Sequence, residues 1–138
     1  NLGAIARTAE CFGATALVVP ATGSAPVNED AVKSSAGALL RLPMCRVKRM
    51  DQAMEWMTQM GLSPVAVSEK GDVQAHELPG DAPTCLVLGD EHSGISAEVM
   101  KHCTTAVRIP MKGKTSSLNV GVAAGIVLHA LGLKSLDT

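Results

Sequence analysis

Ile109-Pro110-Met111-Lys112-Gly113-Lys114-Thr115-Ser116-Ser117-Leu118-Asn119-Val120 sets a polar, glycine-containing loop between an apolar strand and an apolar helix. Polar groups gathered at such a junction point to a site. The helix predicted from Leu118 to about Lys134 carries Gly121, Ala123, Ala124, Gly125 and Ala130, small residues that let other backbone approach closely. Its opening turn presents unpaired N–H groups beside Ser117 and Asn119, which is what a polar ligand needs.

Outward from that junction, apolar runs alternate with amphipathic stretches in a βαβα rhythm. Residues 2–12 predict a helix stopping at Gly13, a fitting residue just past a helix end, and Ala14–Val19 predicts a strand closed by Pro20. A helix from about Glu29 to Leu40 follows, then a short strand near Cys45–Lys48. Asp51 is expected to cap a helix ending before Gly61, and Pro64–Ser68 resumes as strand. Thr84–Gly89 reads as a continuous apolar strand, Ser96–His102 as a short helix and Ala106–Ile109 as another strand. Gly71–Thr84, with three acids and two prolines, reads as a surface loop. Strands that are continuously apolar, rather than alternating, imply burial on both faces. The fold class is therefore α/β, a parallel sheet covered by helices on both faces.

With 138 residues, 46% of them apolar, the chain can bury one core, and residues 1–138 read as a single domain. Phe12 and Trp56 are its only aromatic side chains, which excludes nucleic-acid binding that rests mainly on aromatic stacking. The net charge of −1 neither favours nor disfavours an RNA partner, because a local patch can hide in a neutral total. Arg41, Arg46, Lys48 and Arg49 form one candidate patch, with solvated surface charge as the competing reading, and Lys112 with Lys114 forms another. Cys11, Cys45, Cys85 and Cys103 show neither CxxC spacing nor a histidine placed to complete a zinc set, so no metal is expected and they read as small core residues. No signal peptide or membrane-spanning run is legible, so a reducing cytoplasm is the expected location. The chain starts at Asn1, without methionine and directly on a helical pattern, and sequence upstream is expected.

Two phosphate-binding patterns fail. Gly113-Lys114-Thr115 ends like a P-loop, but the first glycine of that motif would fall on Arg108. No GxGxxG follows a strand, which disfavours a dinucleotide fold. Gly89-Asp90-Glu91-His92-Ser93-Gly94 lies at the carboxyl end of a predicted parallel strand, where open α/β sheets place ligands, although alone it reads as a strand-to-helix turn.

Three segments taken together are more specific. Asn1-Leu2-Gly3-Ala4-Ile5-Ala6-Arg7-Thr8-Ala9-Glu10-Cys11-Phe12-Gly13 resembles the first motif of the SpoU-type methyltransferases, in which Asn, Gly, Arg, Ala and Phe-Gly recur at this spacing. Leu88 to Ile95 looks like their second motif, and Ile109-Pro110-Met111 through Ser117-Leu118-Asn119-Val120 like their third. Order and separation match over essentially the whole chain. Val19-Pro20, Ser24-Ala25-Pro26 and Ser34-Ser35-Ala36-Gly37-Ala38 are similar to the branch that methylates a guanosine ribose in large-subunit ribosomal RNA. Asp90 departs from the Asn or Ser frequent in the family, and Gly121 from the Ser common after Asn-Val. The strand and Asp-Pro that usually precede the first motif are not in this sequence, nor is the small RNA-binding domain often found upstream, so the chain resembles a catalytic domain only.

The resemblance implies S-adenosylmethionine-dependent methylation of a ribose 2′-hydroxyl in RNA, within a trefoil-knotted α/β domain whose active sites form at a homodimer interface. Transfer RNA as substrate, or a catalytically silent RNA-binding paralogue, are the alternatives. The cofactor contacts implied are Gly89, Ile109 and Leu118, largely through backbone groups, with Met111 and Leu88 as apolar walls for the adenine. Arg7 falls on the residue that the family assigns to the acceptor hydroxyl. A guanidinium, with a pKa above about 12, is a poor general base. Clamping the adjacent phosphate and stabilising the developing alkoxide suits it better than deprotonation. Asn1 is expected to support the RNA phosphate or the loop next to Arg7. Glu91 is expected to fix Arg7 or a backbone N–H, unless it is an ordinary capping carboxylate. Ser117 and Asn119 are expected to orient the cofactor loop and the ribose, with a purely helix-capping Ser117 as the other reading.

Overall fold

Small side chains on one face set the packing of the first helix. In the computed structural model, which describes residues 1–22, 27–79, 82–90 and 92–135, α1 spans Leu2–Cys11 and buries Gly3, Ala6 and Ala9 at three-residue spacing. Strand β1 covers Leu17–Pro20, so it starts later than the expected Ala14, and Pro20 is its last residue instead of the stop beyond it. Among the described residues β1 pairs with β2 (Met44–Val47) alone, in parallel, which leaves an outer edge where a residue without an N–H is tolerated.

The single helix expected from Glu29 to Leu40 is two, α2 (Glu29–Ser34) and α3 (Ala38–Arg41). Ala36 and Gly37 break it, both at positive φ (53° and 84°). Ser35 is fully buried at the break, and its hydroxyl donates to the Val32 carbonyl at 2.7 Å while accepting from the Leu39 N–H at 3.2 Å. Such a side chain satisfies backbone groups that a continuous helix would have paired. Helix α4 spans Met50–Gln59, and Arg49, not Asp51, is its N-cap. Asp51 lies in the first turn, where a carboxylate meets the positive helix end, and bonds Arg49 at 2.8 Å.

Four further strands complete the architecture: β3 (Ser63–Val67), β4 (Val73–Gln74), β5 (Thr84–Val87) and β6 (Thr105–Arg108). They form a sheet of order β4-β6-β3-β5, every pairing parallel. The parallel α/β class expected from the apolar runs holds, but the described strands form two sheets, β1-β2 and this one, rather than a single sheet. Helix α5 (Ala97–Met100) is capped by the Ser96 hydroxyl, and α6 runs Val120–Ser135. Helix α6 packs against α1 and β3, and α4 also packs against β3.

The segment 71–84 is not the expected surface loop. Its β4 pairs with β6, a 3-10 turn (Ala75–Glu77) follows, and Ala75 and Leu78 join Val65, Val107 and Val127 in the main core. Val73, Ala75 and Leu78 point inward, while the acids and prolines that dominate the composition mask that pattern. Gly71 is required for the approach: a Cβ there would lie 2.6 Å from the Val107 carbonyl carbon. The cysteines are not core residues either. Cys11 and Cys45 are exposed and Cys85 and Cys103 half-buried, because α1 turns its small-residue face inward and β2 is an edge strand. Burial pushes the thiols of Cys85 and Cys103 up, with Cys85 adding to the rise at Cys103. Among the described residues no helix is long and apolar enough to cross a membrane.

Candidate active site

Because β3, β5 and β6 run in parallel with Ala66 opposite both Val87 and Ala106, their carboxyl ends emerge side by side. The turns that follow them enclose a cavity of about 710 Å³, within the roughly 300–1,000 Å³ of small-molecule sites. Three segments line it, one from each strand end.

After β3, the Ser68 hydroxyl accepts from the Lys70 N–H at 3.2 Å and the Ser68 carbonyl from the Gly71 N–H at 3.0 Å. This tight turn leaves Glu69 and Lys70 exposed on the rim. Arg108 ties the turn to β6 by donating to the Gly71 carbonyl at 3.2 Å.

After β5, Asp90 and Gly94 exchange both backbone hydrogen bonds, at 3.1 and 2.9 Å. Asp90 Oδ1 also accepts from the N–H groups of His92 (2.8 Å) and Ser93 (3.3 Å), which hold the carboxyl below the usual aspartate range. Gly89 and Gly94 close the turn on itself: a Cβ on Gly89 would meet the Gly94 carbonyl carbon at 2.7 Å, and Gly94 sits at φ 70°.

After β6, residues 111–119 are all exposed. Among the described residues no hydrogen bond engages 111–118, and of that run Met111, Ser116, Ser117 and Leu118 line the cavity. Asn119 ends the run. Its Oδ1 accepts from the N–H groups of Gly121 (2.8 Å) and Val122 (3.3 Å), and its Nδ2 donates to Asn1 Oδ1 at 3.2 Å. Asn119, not Ser117, is thus the cap of α6, and the helix starts at Val120, later than the expected Leu118. Asn serves this role as well as Ser, because either side-chain oxygen satisfies an orphan N–H of the first turn.

Residues 1–129 match the SpoU rRNA Methylase family. The chain belongs to that family. It is 41% identical over 128 residues to an uncharacterized tRNA/rRNA methyltransferase of Mycolicibacterium smegmatis, covering 93% of this chain and 41% of the relative. It is also 41% identical over 132 residues to an uncharacterized tRNA/rRNA methyltransferase of Archaeoglobus fulgidus, covering 95% of this chain and 58% of the relative. Among solved structures, the SpoU methyltransferase AviRb from Streptomyces viridochromogenes in complex with the cofactor AdoMet superposes with a TM-score of 0.91 at 30% identity, over 99% of this chain and 56% of AviRb. The chain therefore spans roughly half the length of these relatives.

This SpoU-family site gathers most of the residues singled out from sequence. Leu88, Gly89, Ile109, Met111, Ser117, Leu118 and Asn119 all line the one cavity. Asn1 is not in the lining but reaches it through Asn119. Arg7 is exposed on α1 and lies outside the lining. Glu91 and Ser24-Ala25-Pro26 lie outside the described residues. Of the first basic cluster, Arg41 pairs with Glu10 at 3.5 Å and Arg49 with Asp51 at 2.8 Å, so half of its charge is partly offset. Lys112 and Lys114 are exposed on the third loop. Sequence reasoning missed Ser68, Glu69 and Lys70 in the lining. Their signal was position alone, since a turn at the carboxyl end of a parallel strand lies where such sheets hold ligands.

Proposed function

We propose that this domain methylates a ribose 2′-hydroxyl in RNA with S-adenosylmethionine as donor, and that the target is a guanosine of large-subunit ribosomal RNA. The observation that carries this is the cavity built by the three strand-end turns, with Met111 and residues 116–118 of the third loop in its lining. An adenosyl group fits such a lining: Leu88, Ile109, Met111 and Leu118 supply apolar walls and the free backbone groups supply the adenine edge with partners. AviRb, of the same family and fold, binds AdoMet, and the curated relatives are called tRNA/rRNA methyltransferases.

The donor supplies a methyl group already activated on a sulfonium, so the protein's work is mostly alignment. Gly89 and the Asp90–Gly94 turn hold one wall in place; Ser117 and Asn119 fix the other and orient the ribose. Arg7 clamps the phosphate beside the acceptor and stabilises the alkoxide as its proton leaves. Because Arg7 lies outside the cavity of its own chain, it acts in the cavity of a second copy. The homodimer is formed on the face of α6 that exposes Val122 and Ile126 (52% and 41%), with Leu118 (39%) just before the helix. Asn1 steadies this arrangement from the end of α1, and Glu91 is assigned to Arg7 or a neighbouring N–H. The trefoil knot belongs to the same reading: Gly121 and Gly125, where an added Cβ would meet Asn119 and Thr8 at 3.1 and 3.3 Å, permit the close approach that threading demands. Residues 1–138 are taken as one catalytic domain of a cytoplasmic protein.

The deciding experiment incubates the full-length protein with labelled donor and separated ribosomal and transfer RNA, then maps the modified nucleotide. A 2′-O-methylguanosine in large-subunit RNA is expected. Label confined to transfer RNA would move the target, and RNA binding without label would leave a silent paralogue.

A further inference from the structure

Among the described residues lining the cavity, Glu69, Lys70 and Asp90 carry charge at neutral pH. Glu69 and Lys70 are sequence neighbours of opposite sign on one turn. Asp90 has no such counterpart: among the described residues no lysine or arginine pairs with it. The turn can form without its charge. The N–H groups of His92 and Ser93 bond Oδ1, and the amide oxygen of an asparagine would accept both, without the added strength that the charge gives.

A charge that the local structure does not require is free to act on the ligand. The donor seat proposed above makes that action specific. In methyl transfer the S–CH₃ bond breaks with its electron pair left on sulfur, the new bond forms to the ribose oxygen, and the hydroxyl proton passes to solvent. The sulfonium donor thus carries one more positive charge than the thioether product, while the two are otherwise alike in shape. The Asp90 carboxylate in the lining favours the cationic one of the two by Coulomb attraction. We infer that Asp90 makes this cavity charge-selective, favouring the sulfonium donor over its demethylated product and so easing product release.

Isothermal titration of the full-length protein at low salt tests this with three probes: S-adenosylmethionine, S-adenosylhomocysteine and a donor analogue with an ammonium in place of the sulfonium. Asp90→Asn is expected to weaken both cationic probes roughly two- to fivefold and to leave the thioether unchanged, the range of an exposed charge pair. Salt at about 0.5 M should shrink the preference of the unsubstituted protein in the same way. Asp90→Ala, which also loses the turn acceptor, should weaken all three. An asparagine variant that weakens all three alike, or leaves their ratio unchanged, overturns charge selection while keeping the seat. Failure of the unsubstituted protein to bind any of the three overturns the seat and with it the selection.

Discussion

Asn119 donates through Nδ2 to Oδ1 of Asn1 at 3.2 Å, a bond that spans 118 positions of sequence and joins the opening turns of α6 and α1. The same Asn119 side chain caps α6 through Oδ1. One residue therefore holds two helix ends at the rim of the cavity. Asn119→Ala should cost about 1 kcal/mol in denaturant unfolding, since the N–H groups of Gly121 and Val122 lose their acceptor. Asn119→Asp keeps an oxygen cap and removes the donor to Asn1, so it should recover most of that loss. Equal destabilisation by both variants would show that the link to Asn1, not the cap, carries the stability.

Arg7 is exposed and outside the cavity lining, so removing it should not disturb the donor. Arg7→Ala is expected to lower methyl transfer by about 10²-fold or more while donor affinity stays within a few-fold. Arg7→Lys should recover little, because an ammonium does not reproduce the bidentate fork on a phosphate. Full activity in the alanine variant would remove Arg7 from the mechanism.

Gly89 tolerates no side chain, given the 2.7 Å between its added Cβ and the Gly94 carbonyl carbon. Gly89→Val should open the Asp90–Gly94 turn and weaken donor binding by about tenfold or more, read by calorimetry. An unchanged affinity would place the donor elsewhere.

That glycine also shows where sequence reasoning reached and where it stopped. The strand-turn-helix pattern around residues 84–95 and 106–120 was legible because apolar runs and small residues are local signals, and they located both long turns of the cavity. Segment 71–84 was misread because two inward residues, Ala75 and Leu78, are outnumbered by acids and prolines, and only the tertiary contact of Gly71 with Val107 explains its burial. The break in α2–α3 depended on the buried Ser35 hydroxyl, which no periodicity announces. Asn119 and Ser117 were both plausible caps by composition, and the choice rests on which oxygen reaches the first-turn N–H groups.

Val122 and Ile126 are exposed on a helix that also buries Ala124 and Val127, so α6 is apolar on both sides. A helix apolar all round is ordinarily buried, and in the proposed homodimer the second copy covers the outer side. Sedimentation of the full-length protein at micromolar concentration should show a dimer, and Val122→Lys should yield a folded monomer that still binds donor but does not methylate. A monomeric unsubstituted protein would contradict the two-copy site.

The acid behaviour of the Asp90 turn follows from its bonding. The N–H groups of His92, then Ser93, stabilise the charged carboxylate, so its folded-state pKa lies below the unfolded value of about 3.9. A depressed carboxyl contributes stability that is complete above the unfolded value and is lost as pH falls through the folded one. The turn should therefore keep its full stability through neutral and mildly acid solution and lose the charge-assisted part of these bonds only in strong acid. Carbon-detected NMR reads the Asp90 carboxyl directly. A midpoint below about 3.9, accompanied by exchange broadening of the His92 and Ser93 amides at the same pH, is the expected result. A midpoint at or above that value would mean that these amides do not hold the carboxylate, and the turn would then owe its shape to the Asp90–Gly94 backbone pair alone.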